Sequence, residues 1–164
     1  MDLRYHTALD GPALRALGIP EPWIFGLADR VRFGELDAVG HVNHTAYLRW
    51  FESFRLPYLK ARKVTDYGPT SPRLVLRSVA AHYMAEMGAD VDYVVTGRTR
   101  AFRTTSFTME FGVFLPTDAG DAQMTASGEA VVVLLRRDGR GRYPLPDAGR
   151  QALVALDRAR ADRV

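Results

Sequence analysis

The sequence predicts an α+β fold in which one antiparallel sheet packs against a single long helix. Three observations predict it. An aromatic stripe with helical spacing runs from Tyr47 to Tyr58. Four stretches with strand character follow it between residues 74 and 136. The breaks between those stretches are short and carry turn residues, which favours antiparallel neighbours over parallel crossovers.

In chain order, residues 1–26 read as a leader, with a short helix over Pro12–Leu17 that Gly18 and Pro20 stop. Residues 27–164 read as one domain. Leu27–Phe33 alternates: Leu27, Val31 and Phe33 are expected inside, and Arg30 and Arg32 outside, a half-buried strand. Gly34 to Asn43, with a glycine near each end, reads as a loop. The period then changes. Tyr47, Trp50, Phe51, Phe54 and Tyr58 fall at i, i+3, i+4, i+7 and i+11, one face of a helix over Asn43–Arg62. Asn43 is the expected N-cap. Pro57 lacks an N–H and is expected to kink the helix or to start a separate last turn.

A Gly-, Pro- and Ser-rich loop at 67–72 leads to strands expected at Leu74–Met84, Val91–Arg100, Thr104–Leu115 and Gln123–Arg136. Turns are expected at Gly88–Asp90, Ala101–Arg103, Pro116–Asp121 and Asp138–Gly141. Phe107, Met109, Phe111, Val113 and Leu115 share one strand face, and the strands are expected to follow one another as a meander. Pro144–Asp147 opens a last helix in which Leu153 and Leu156 are expected to pack. An open sheet leaves edges, which a second copy of the chain would cover.

Composition narrows the function classes. At 164 residues the chain suffices for one ordinary core. It has no cysteine, which excludes disulfides, thiol nucleophiles and zinc–thiolate sites. No apolar run approaches the ~18 residues of a membrane span, and the N-terminus does not read as a secretion signal; the expected location is cytoplasmic. Only Lys60 and Lys63 among the 22 basic residues are lysines, leaving 20 arginines and a net charge of +3. Acidic residues are interspersed with them, so a nucleic-acid partner is not expected, whereas arginines suit a phosphate-bearing ligand. His41 and His44 lack a third ligand at metal spacing, so no metal is expected.

The stretch Phe33-Gly34-Glu35-Leu36-Asp37-Ala38-Val39-Gly40-His41-Val42-Asn43-His44-Thr45-Ala46-Tyr47-Leu48-Arg49-Trp50-Phe51-Glu52 carries a motif. It resembles the signature of the 4-hydroxybenzoyl-CoA thioesterase family of the hotdog-fold superfamily. Asp37, Gly40, Val42, Tyr47, Arg49, Trp50, Phe51 and Glu52 fall in register with that signature. His41-Val42-Asn43 is similar to the His-Val-Asn of related acyl-carrier-protein thioesterases. Glu35 stands where the signature has its first Asp, and Ala89 splits the family's Gly-Asp pair. The resemblance implies a hotdog fold, a curved antiparallel sheet wrapped round a long central helix. It implies homodimers or homotetramers, acyl-CoA or acyl-carrier-protein substrates, and no cofactor. It places the catalytic carboxylate at Asp37.

A thioester carbonyl needs an attacking oxygen and positive dipoles where oxyanion charge develops. Asp37 supplies the first, as nucleophile or as general base on water. The N-terminus of the helix that starts near Asn43 supplies the second. Gly40, His41, Val42, Asn43, His44 and Thr45 are the expected positioning residues. Tyr47 and Phe51 are expected in the acyl pocket, and Arg100, Arg103 and Ser106 against the CoA phosphates. Glu52, further along the helix, is expected to be structural. The alternatives are an acyl-carrier-protein thioesterase, a non-catalytic acyl-CoA-binding module and, through His41, a hotdog dehydratase or hydratase.

Overall fold

A computed structural model describes residues 3–118 and 120–162. Residues 1–2 at the start of the leader, Ala119 in the expected Pro116–Asp121 turn and residues 163–164 lie outside the described residues. The elements run β1 (Ala8–Asp10), α1 (Gly11–Ala16), β2 (Phe25–Arg30), α2 (His44–Ala61), β3 (Arg73–Tyr83), β4 (Asp92–Arg103), β5 (Ser106–Leu115), β6 (Gln123–Leu135), α3 (Asp147–Asp157) and β7 (Arg160–Ala161). The seven strands form one sheet ordered β1-β2-β4-β5-β6-β3, with β7 added to β4. The β1–β2 and β2–β4 pairs are antiparallel, and β7 joins β4 in parallel. This is a mixed α/β architecture. The four strands read from sequence appear within three residues of their expected ends.

Several expectations are corrected. β3 pairs with β6, not β4, so the meander comprises only β4, β5 and β6. The Met84–Val91 connection carries the chain across, tied down where the Met84 and Ala85 N–H groups donate to the Thr125 carbonyl. β2 begins two residues early and stops at Arg30, and Phe33 is 88% exposed. The chain leaves the sheet there for a 3-10 turn, in which the Glu35 carboxylate accepts from the Arg32 N–H at 2.8 Å. No turn forms at Ala101–Arg103, because β7 pairs with Ala101 and Phe102; Thr104 and Thr105 make the turn instead. Leu156 is exposed while Leu153 is buried. Pro57 starts no separate turn, and α2 runs through it for 18 residues. The proline removes a donor for the Ser53 carbonyl, and Ser53 sits on the exposed side of the helix.

Contacts group the chain into two compact units. One comprises Met1–Arg55, Ala81–Gly97 and Phe111–Gly128; the other Leu56–Ala80, Arg98–Glu110 and Glu129–Val164. α2 and β3 to β6 each supply residues to both.

In the first unit the leader is part of the core. Asp10 caps α1 by accepting from the Ala13 N–H at 3.0 Å. Leu14, Ile19 and Trp23 then pack with Ala28, Val94 and Phe114. The aromatic stripe of α2 is buried as its spacing requires. Trp50 stacks on Tyr93 at 4.0 Å, Phe51 on Phe111 at 4.6 Å, and Phe54 meets Phe25 edge-on at 5.6 Å. Each fully buried ring contributes about 1.5–3 kcal/mol. Gly97 makes room for them: a Cβ there would stand 2.6 Å from the Phe54 ring.

In the second unit, Tyr58 and Leu59 of α2 are buried, as are Phe107, Met109, Leu134, Leu145 and Leu153. Within it the Asp157 carboxylate accepts from Arg62, Tyr58 and the Thr99 N–H.

Four phenols are held above their ordinary range. Burial pushes Tyr47 up to about 12 and raises Tyr58 and Tyr93, while the hydrogen bond to Asp92 raises Tyr5. Folded values above those of the unfolded chain stabilise the fold below about pH 10, and that contribution is lost as the pH climbs toward the folded values. An alkaline absorbance titration is therefore expected to show these four phenols ionising late or together with unfolding. Seven tyrosines ionising as one group near pH 10, with the fold intact, would contradict this packing.

Candidate active site

The motif segment folds into a tight turn that ends on the cap of α2. Leu36 and Val42 pair in an antiparallel bridge, and the Asp37 N–H donates to the His41 carbonyl at 2.8 Å. Reversing the chain in so few residues uses Gly40 at φ +83°, where an L side chain is strained. A Cβ at Gly40 would meet nothing within 4 Å, so its conformation, not its lack of bulk, requires glycine here.

Asp37 is exposed. Its Oδ1 accepts from the Val39 N–H at 2.9 Å and the His41 N–H at 3.2 Å. Its other oxygen has no hydrogen bond among the described residues. One oxygen thus braces the turn and the other faces outward.

Asn43 caps α2 as its side chain predicts: Oδ1 accepts from both the N–H and the hydroxyl of Thr45, each at 2.9 Å. The Ala46 N–H donates to the Asn43 carbonyl. Two amides of the first helical turn are therefore already used. The His44 N–H has no partner among the described residues, and it is the amide left for an incoming oxygen.

His41, Val42, His44 and Tyr47 share one open concavity of about 300 Å³ with Tyr83, Met84, Ala85 and Glu86. The Val42 N–H donates to the Met87 carbonyl at 2.9 Å, which fixes the two walls against each other. Tyr47 and Tyr83 meet edge-on at 5.1 Å, and the Tyr83 hydroxyl donates to the His44 carbonyl at 3.3 Å. His41 Nδ1 lies 3.1 Å from Glu86. Through its bond to the His41 N–H, Asp37 adjoins this concavity.

Not every expected residue joins it. Phe51 is 1% exposed and stacked on Phe111, so in this chain it is core rather than pocket lining. Glu52 is exposed on α2. In the second unit, Arg103 and Ser106 line a different concavity of about 320 Å³, which also holds Arg77 and Asp162. Arg100 does not line it. Arg100 instead pairs with Glu129 at 2.7 Å.

Two contributions are not picked out by the sequence reasoning. Glu35 reads as a tolerable replacement for Asp, but the longer side chain is used. Its Oε1 accepts from Trp50 Nε1 at 2.8 Å, and its backbone carbonyl accepts from the Asn43 N–H at 2.8 Å. Glu35 therefore ties the turn to α2. The available signal is an acidic residue 15 positions before a tryptophan on the aromatic stripe. Tyr83 and Met84 read only as strand residues; their large exposed side chains at a strand end are the cue.

The family model of the thioesterase-like superfamily matches residues 31–153. The chain belongs to that superfamily. It is accordingly an enzyme of the thioester-hydrolase class. A solved thioesterase-superfamily structure from Jannaschia sp. CCS1 is 66% identical, covering 97% of this chain and 99% of that one, with a TM-score of 0.93. A thioesterase from Thermus thermophilus, solved with coenzyme A and zinc, is 27% identical over 84% of this chain and 97% of its own, with a TM-score of 0.69. A 1,4-dihydroxy-2-naphthoyl-CoA thioesterase from Synechocystis, 18% identical over 81% of this chain and 97% of its own, shares the fold at a TM-score of 0.68. No curated protein matches the sequence. Among the described residues no cluster of three or more His, Asp or Glu is placed to hold a metal ion. No described helix is long and apolar enough to cross a membrane.

Proposed function

We propose that this thioester hydrolase is an acyl-CoA thioesterase with Asp37 at its catalytic centre. The observation that carries the reading is the turn at 37–43, which holds an exposed carboxylate against the His41 N–H and leads into the unpaired first amide of α2 and the concavity that His41 and His44 line. The thioester carbonyl docks toward the His44 N–H, at the positive end of the helix dipole. Asp37 attacks the carbonyl or takes a proton from water. Asn43 and Thr45 hold the cap, Gly40 holds the turn, and His41, Val42, His44 and Tyr47 bound the acyl end together with Tyr83 and Met84. One donor aimed at a developing oxyanion contributes about 3–4 kcal/mol to lowering the barrier.

The Thermus relative's bound coenzyme A supports a CoA ester as substrate. Arg103 and Ser106, beside Arg77, then meet CoA phosphates, because arginine forks match phosphate oxygens. The superfamily match and the mixed α/β architecture support a hotdog arrangement. β3 ends the sheet and exposes Leu76 and Val79, so the working form is a homodimer or homotetramer built across that edge.

Thiol release from short, long and aryl acyl-CoAs tests the reading directly. Turnover of at least one ester is expected. A folded wild-type protein that releases thiol from none of them, yet acts on acyl carrier proteins, would move the substrate to the carrier class. Inactivity on both would leave a binding module.

A further inference from the structure

In a chain that writes its basic residues almost entirely as arginine, both lysines line one concavity. Lys60 and Lys63 face a hollow of about 620 Å³ in the second unit, together with Thr65, Asp66, Thr70, Ser71 and Tyr143. We propose that this hollow is a binding site for a phosphorylated small molecule of nucleotide size, with Lys60 and Lys63 as its phosphate contacts.

Three observations beyond charge support it. First, Lys63 is held at φ +55°, directly after α2, where the Val64 N–H donates to the Leu59 carbonyl and closes the helix. That position favours glycine, and the strain of an L side chain there is the kind stored at working sites. Tyr67, four residues on, is also left-handed at φ +61°. A lysine is thus kept where both backbone geometry and the composition of the chain favour another residue.

Second, the wall opposite is built and braced. Arg137 donates from Nε to the Ser71 carbonyl at 2.8 Å and from Nη2 to the Gly68 carbonyl at 2.7 Å. The loop that carries Thr70 and Ser71 is therefore fixed. Thr65 is buried, and its Oγ1 already accepts from the Tyr67 N–H, which leaves its hydrogen to donate. Tyr143 adds a further hydroxyl to the lining.

Third, the one acidic group is occupied. Asp66 Oδ1 accepts from the Gly68 N–H at 2.7 Å and from the Ser71 hydroxyl, and these bonds hold its carboxyl below the usual range. It serves as a loop brace, and two cations face the hollow against one anion. The hollow is open to solvent on one side and has room for a nucleotide laid along it. Lysines are point charges that follow a rotating terminal phosphate, unlike the fixed arginine fork.

Calorimetric titration of the full chain with ADP tests the site, using wild type, Lys60→Met, Lys63→Gly and Arg103→Met. ADP is expected to bind wild type and to bind each lysine variant more weakly, by roughly tenfold. Lys63→Gly is expected to melt about 2–4 °C higher while losing affinity, since glycine relieves the left-handed strain. Merely structural lysines would not give that pairing. Displacement of ADP by coenzyme A would assign the ligand to the nucleotide end of CoA, and persistence of ADP would assign it to a free nucleotide; both outcomes keep the site. Undiminished affinity in the lysine variants, affinity lost only in Arg103→Met, or no ADP binding to wild type would each overturn it.

Discussion

Replacing Asp37 with Asn is expected to lower kcat for acyl-CoA hydrolysis by about 10²–10⁴-fold, the range that a positioned acid, base or nucleophile supplies. The substitution is informative because of what it preserves. The Asn amide oxygen can accept from the Val39 and His41 N–H groups as Oδ1 of Asp37 does, so the turn keeps both of its braces. What disappears is the negative charge and basicity of the outward oxygen. KM is therefore expected to change little, because uniform binding is untouched. Asp37→Ala removes the braces as well and is expected to be at least as inactive and locally looser. Single-turnover hydrolysis in heavy-oxygen water separates the two roles of wild-type Asp37. Direct attack followed by hydrolysis of the mixed anhydride at the Asp37 carboxyl places the label in Asp37, whereas general-base catalysis places it only in the released acid. Asp37→Asn turning over within severalfold of wild type would move the catalytic carboxylate elsewhere, and exposed Glu52 would be tested next.

The parts legible in the sequence are those set by local periodicity and local capping. The stripe from Tyr47 to Tyr58 can only be buried on one face, and the structure buries all five rings. Asn43 reads as a cap because its short side chain reaches the next turn, and it accepts from Thr45. What escapes depends on contacts between residues far apart in the chain. Nothing local distinguishes a β3 that pairs with β4 from one that pairs with β6; the tethers at Thr125 and Met87 decide it. Phe33 continues the alternation of Leu27 and Val31, yet Glu35 ends the strand by capping Arg32. Phe114 lies on the strand face opposite Phe111 and Val113, and Trp23 of the leader covers it at 6.2 Å. At the site, Asp37 is found through a motif of consecutive residues, whereas the Tyr83–Met84 wall comes from a distant strand end. Arg100 and Arg103 look equivalent as charges in the sequence, yet Arg100 is taken up by Glu129 of β6, a partner 29 residues away, and Arg103 lines the concavity with Ser106.

Removing Asp157 is expected to cost about 3–5 kcal/mol of stability, because it takes a hydrogen-bonded carboxylate away from a buried guanidinium. Arg62 and Asp157 have side chains 5% and 0% exposed. Oδ1 of Asp157 accepts from Arg62 Nε at 2.8 Å and lies 2.8 Å from Nη2 as an ion pair, and Oδ2 accepts from the Thr99 N–H at 3.2 Å and from the Tyr58 hydroxyl. Tyr58 also lies 2.9 Å from Thr99 Oγ1. Burial, reinforced by Asp157, keeps Tyr58 protonated well above the ordinary phenol range, so it stays a donor at every working pH. The network joins the last turn of α3 to the end of α2 and to β4, three elements remote in sequence. Asp157→Ala strips acceptors from all of them at once, and a melting temperature lower by about 6–20 °C is expected. Asp157→Asn keeps the acceptor for Thr99 and Tyr58 but not the charge, and should fall between Ala and wild type. The decisive comparison is the pair Arg62→Met with Asp157→Leu. Buried ion pairs are often replaceable by apolar groups of similar volume at little net cost. The double variant is therefore expected to be more stable than Asp157→Ala, with the unpaired Thr99 N–H accounting for most of what it fails to recover. If Asp157→Ala melts within about 2 °C of wild type, the network contributes little and α3 is held by Leu153 packing instead.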